Sequence, residues 1–146
     1  MFYWSQKWSK IHEAILGAKI GDPGSQALWE AFAVFLSVRM WVVEQRPGPV
    51  TIVGDAEGVI YDIVQLRGRS PQIDMVAKEV AILLAPQGRD LQGLHIWGER
   101  NTFADMLSRR EDTDCNALMA SLMAYSTAVK VPSVSSMNLH FFGTET

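Results

Sequence analysis

Three carboxylates stand where their side chains can do chemistry. Glu30 is the only charged residue between Asp22 and Arg39, in the first turns of an otherwise apolar run. A carboxylate buried there is costly unless it is paired, protonated or bound to a metal. Asp55 directly follows the β-branched run Val50-Thr51-Ile52-Val53-Gly54, and α/β sheets gather ligands beyond the carboxyl ends of their strands. Asp105 falls early in a helix that Asn101 is suited to cap. Brought together, the three would offer oxygen donors from different elements. Magnesium binds through carboxylates and keeps several waters, and a pair of such ions activates water and stabilises the leaving oxygen in phosphodiester cleavage.

Each residue also has an ordinary reading. Glu30 can be a solvent-facing Glu favoured by the helix N-terminal dipole, and Asp105 a surface charge favoured in the same way. Asp55 can simply cap a helix beginning near Ala56. Only convergence in space separates these readings. No other motif competes: the single cysteine, Cys115, rules out an internal disulfide framework and any multi-cysteine metal site, and no glycine-rich phosphate loop is present. His12 and His95 read as structural, hydrogen-bonded residues, and the five tryptophans recur at spacings typical of core positions.

The elements that must position these side chains follow from periodicity. Phe2 to Trp8 alternates loosely and is rich in aromatics, which predicts a short strand. Turn formers from Gly21 to Ser25 precede a helix from Gln26 to about Glu44, with Leu28, Phe32, Phe35, Leu36, Met40 and Val43 at helical spacing and Pro47-Gly48-Pro49 as its stop. Val50 to Gly54 predicts a buried strand, Ala56 to Leu66 a helix, and Ser70-Pro71 the cap of a second helix from Gln72 to Ala85. Leu91 to Trp97 predicts another strand, Asn101 to Arg109 a further helix, and Cys115 to Tyr125 one more. The order implies an α/β architecture with parallel, right-handed crossovers. Residues 130–146 show no period and read as a tail.

The most specific stretch is His95-Ile96-Trp97-Gly98-Glu99-Arg100-Asn101-Thr102-Phe103-Ala104-Asp105-Met106-Leu107-Ser108-Arg109. It resembles the His, Gly, Asn, Ala-Asp, Leu-Ser-Arg pattern that closes the ribonuclease H domain of retrotransposon and retroviral-type reverse transcriptases, with Trp97 where that family often has proline. Gln26-Ala27-Leu28-Trp29-Glu30 is similar to the helix bearing the family's catalytic glutamate, and Val53-Gly54-Asp55-Ala56-Glu57-Gly58 to the strand end bearing its second aspartate. The resemblance covers roughly Phe2 to Arg110 and implies a ribonuclease H-like mixed sheet flanked by helices. It further implies Glu30, Asp55 and Asp105 as catalytic residues and ligands of Mg2+, with Mn2+ as a substitute, acting on the RNA strand of an RNA/DNA hybrid. The family's remaining ligand is an aspartate on its first strand, and no Asp precedes Asp22, which sits in a turn and cannot replace it. Phe2 to Trp8 would match the third strand, so the expectation is a domain lacking its first β-hairpin, with impaired hydrolysis.

This divides the chain into a ribonuclease H-like domain over residues 1–110 and a C-terminal helix and tail of unknown role over 111–146. Two alternatives to the hydrolase stay open. One is a catalytically degenerate module that holds nucleic acid by shape. The other is an interaction fragment pairing with another chain through an exposed sheet edge near Phe2. Composition bounds all three. In the 146 residues the most apolar run, Ala31 to Val43, is interrupted by Arg39, so no membrane span is expected, and nothing at the N-terminus reads as a secretion signal. An intracellular chain is the resulting expectation. The net charge of −3 gives no support to tight nucleic-acid binding by charge alone. A local basic patch would have to come from Arg67, Arg69, Lys78, Arg89, Arg100, Arg109 and Arg110.

Overall fold

A computed structural model of the chain describes residues 2–4, 6–42, 48–102, 104–105 and 124–142. It is a mixed α/β structure in which two strand pairs accompany four α-helices among those residues. In chain order the elements are β1 (Phe2–Tyr3), α1 (Lys10–Leu16), α2 (Gln26–Val42), β2 (Val50–Gly54), α3 (Glu57–Val64), α4 (Pro71–Leu84), β3 (Leu91–His95) and β4 (Thr127–Ala128). Among the described residues no helix is long and apolar enough to cross a membrane.

Helix α2 is apolar around most of its circumference, as expected of a helix enclosed by others. Its approach is fixed by Asp22, which accepts from the Gly24 N–H at 3.1 Å and from the Ser25 hydroxyl at 3.0 Å. Leu28, Phe32, Phe35 and Leu36 are buried, with Phe32 and Phe35 stacked at 5.6 Å. Helix α4 lies against α2 through Ile73, Val76, Ala77, Val80 and Leu84. The Ser70 hydroxyl caps it by accepting from the Ile73 N–H at 3.2 Å, and Pro71 occupies its first turn. Gly68 permits that entry, because a Cβ there would collide with the backbone of Ile73 and Asp74.

Strands β2 and β3 are parallel and in register from Val50 opposite Leu91 to Gly54 opposite His95. Helices α3 and α4 supply the crossover between them. Helix α3 packs on β3 at Gly93, where a Cβ would run into Ile60 Cγ2. The expected strand over Phe2–Trp8 shortens to Phe2–Tyr3, and its edge pairs in parallel with Thr127–Ala128.

Further features depart from the sequence-based expectation, among them β2, expected to be buried but alternating half-buried and exposed residues. Lys10–Leu16 is a helix that the apolar pattern alone did not announce. At its start the Ser9 backbone N–H donates to His12 Nδ1 at 3.0 Å, and the Ser9 hydroxyl lies 2.9 Å from the same nitrogen. The C-terminal residues without a period are also engaged: Val134, Met137 and Phe142 are buried. Glu79 of α4, only 2 % exposed, accepts from the backbone N–H groups of His140 and Phe141, each at 2.6 Å. Most of the expected helix over Cys115–Tyr125 and the end of the Asn101–Arg109 helix lie outside the described residues, although Thr102, Ala104, Asp105 and Ala124 are helical and Tyr125 is a turn.

Candidate functional site

The carboxyl end of β2 delivers Asp55 into the loop after β3. Its carboxylate accepts from Asn101 Nδ2 at 3.3 Å, and Gly98 comes close enough that a Cβ would lie 3.4 Å from Asp55 Oδ2. Asp55 does not cap α3: the N-cap is Ala56, and no side-chain capping bond is made there. The ordinary reading of this residue is therefore not the one the fold uses. Instead Asn101, expected only as a cap, ties the loop after β3 to the end of β2.

Glu30 lies one turn into α2, half-buried, where Gln26 Nε2 donates to its Oε1 at 3.0 Å. It borders two cavities, the larger about 820 Å³ and the smaller about 380 Å³. Asp105 is exposed, and its backbone N–H donates to the Asn101 carbonyl at 3.1 Å. Glu30, Asp55 and Asp105 all line the larger cavity. Residues 25 to 75 positions apart in sequence thus line one cavity that includes the carboxyl end of β2, where topology favours ligands.

Glu30, Asp55 and Asp105 share the lining with Gln26, Asn101 and Arg89, and carboxylates are the side chains that hard cations take. Among the described residues no three Asp, Glu, His or Cys side chains gather as a ready metal-holding group. Magnesium does not require such a cage, since it is commonly held by one or two carboxylates together with waters and substrate phosphates.

Comparisons with protein-family models, with curated proteins and with solved structures found no match to this chain. The functional reading therefore rests on the residues themselves.

One signal was missed in the sequence. Trp97 is 69 % exposed and meets His95 edge-on at 5.3 Å, whereas Trp4, Trp8 and Trp29 pack in or against the core. Its position in a loop between a strand and Asn101, rather than in a periodic element, was the available cue. Among the described residues, Arg89 is the expected basic residue that borders the larger cavity, and its Nε donates to the Gly48 carbonyl at 2.9 Å. Arg69 pairs with buried Asp62 at 3.2 Å and Lys78 with Asp74 at 2.8 Å. Arg109 and Arg110 lie outside the described residues.

Proposed function

We propose that this chain is a ribonuclease H-like domain of the retroelement reverse transcriptase type, acting on the RNA strand of an RNA/DNA hybrid. The observation that carries the reading is that Glu30, Asp55 and Asp105 line the same cavity beside β2. These are the residues singled out by the resemblance of the His95–Arg109 stretch and its two upstream partners. The same proposal gives the α/β core a ribonuclease H-like identity, with β2 and β3 as its parallel pair.

In this reading Asp55, steadied by Asn101, is the central ligand, and Glu30 and Asp105 flank it from α2 and from the helical turn after Asn101. Magnesium or manganese, when bound, supplies an activated water and charge stabilisation at the phosphodiester. The chain's own part is to orient the cation and admit the backbone of the duplex, with exposed Trp97 available to stack on a sugar or base. The sequence supplies three of the four carboxylates that the resemblance calls for, so hydrolysis by this chain is proposed to be weak.

The deciding experiment is magnesium- and manganese-dependent cleavage of a labelled RNA/DNA hybrid by the purified chain, with Asp55→Asn as the control. Slow cleavage that disappears in the variant supports the hydrolase. Hybrid binding without cleavage would replace it with a degenerate binding module, and neither binding nor cleavage would remove nucleic acid from the function.

A further inference from the structure

Helix α1 is seven residues long, too short to keep its shape on propensity alone. The chain around it is anchored on both sides. Before α1, Trp4 Nε1 donates to Ser37 Oγ of α2 at 3.0 Å. After it, Gly17 ends the helix in the left-handed region at φ 64°, and the Lys19 carbonyl accepts from Trp29 Nε1 at 3.4 Å. Between these anchors His12 is buried, with Nδ1 accepting from the Ser9 N–H and lying 2.9 Å from the Ser9 hydroxyl. Its ring meets Trp8 edge-on at 5.3 Å and Phe32 of α2 at 6.3 Å. Trp8 in turn stacks on Trp29 at 5.2 Å.

Nothing charged supports a protonated ring in this position. Trp8 and Phe32 face it, and among the described residues no ion pair reaches it. Lys10 and Glu13, the charged residues of α1 itself, are paired with one another at 2.9 Å. Burial therefore holds the imidazole below its ordinary pKa. A proton on Nδ1 takes away the acceptor of the Ser9 N–H. The Ser9 hydroxyl can turn to accept from the new N–H, but the backbone amide cannot and is left facing a donor.

We propose that α1 is an acid-released strap: protonation of His12 lifts α1 and Trp8 from Trp29 and Phe32, while the core between α2 and α4 stays folded. The closed strap needs the neutral ring. Its stabilisation is complete above the open-state histidine value, about 6.5, and is lost as pH falls from there toward the lower closed-state value. Between the two values each pH unit raises the open population by up to about tenfold, the limit for one proton. The device uses none of the three carboxylates and stands apart from the hydrolase reading.

The test is hydrogen exchange of the full chain, read by NMR from about pH 7 to about pH 5, the range in which histidine titrates. The Glu13 and Gly17 amides bond to the Ser9 and Glu13 carbonyls at 3.1 and 2.9 Å. After correction for intrinsic exchange, their protection should fall by up to about tenfold per pH unit, while Phe35 and Leu36 of α2 keep theirs. His12→Gln retains an acceptor for Ser9 but takes up no proton, and should remove the pH dependence. His95→Gln and His140→Gln, at the other two histidines, should leave it in place. If the His12 variant fails to fold, the ring titration of His12 in the unaltered chain decides, because the loss of protection must track it. The proposal is overturned by protection that does not change with pH or does not track that titration. It is equally overturned by a dependence that survives His12→Gln or vanishes in His95→Gln or His140→Gln, or by an equal loss in α2.

Discussion

Helices α2 and α4 and the β2–β3 pair are built from similar apolar residues yet finished to different degrees. Between the helices Phe32, Val76 and Val80 are wholly enclosed, and the C-terminal segment is pinned over α4 by Glu79. In the strand pair Val53 is 51 % and Leu94 54 % exposed, although they sit opposite one another in the register. Burial of apolar area is what stabilises a small domain, so the helical half carries the stability. Among the described residues the strand half is the more open of the two, and Asp55 stands at the end of β2.

The comparison breaks most visibly in the helical core. Phe32→Ala should lower the unfolding free energy by about 3–5 kcal/mol, the range for truncating an enclosed aromatic, as read by chemical denaturation. An effect under about 1 kcal/mol would move the stabilising core elsewhere. Glu79→Ala leaves the His140 and Phe141 amides without their acceptor and should cost about 2 kcal/mol. Hydrogen exchange at those two amides should accelerate while exchange in α2 stays slow.

A pH dependence sharpens the picture at α1. Burial holds the His12 imidazole below its ordinary pKa, and Nδ1 must stay unprotonated to accept from the Ser9 N–H. The unfolded chain therefore takes up this proton at a higher pH than the folded one. The contribution is complete above about pH 6.5, the ordinary histidine value, and is lost as pH falls from there toward the folded pKa. An effect of about 1 kcal/mol is expected from the cap. His12→Gln, which can still accept from Ser9, should flatten the denaturation midpoint across that window. The smallest effect belongs to the strand pair: Val53→Thr, at an exposed and β-compatible site, should change stability by less than about 0.5 kcal/mol. A larger loss would show that this face is covered in solution.

Much of the fold was legible because its signals are local. The run Val50–Gly54 became β2 with the expected bounds, and Ser70-Pro71 opened α4 as a cap and first-turn proline should. Helix α1 was missed because its cue is a histidine acting as a reciprocal cap, not an apolar stripe. The engagement of residues 131–142 was missed because it depends on Glu79, more than fifty positions away, and leaves no periodicity in the segment itself.

For the site, the sequence alone determined which residue types are available and which elements hold them: an isolated Glu30 in an apolar helix, Asp55 at a strand end, and Asp105 after a capping Asn101. Those follow from local propensity and spacing. Only the tertiary structure decided that Asp55 is held by Asn101 rather than capping α3, that all three carboxylates line one cavity, and that among the described residues β2 pairs with β3 alone. Each of these is set by how distant elements pack, and a linear pattern carries no record of which neighbour a side chain or a strand edge will meet.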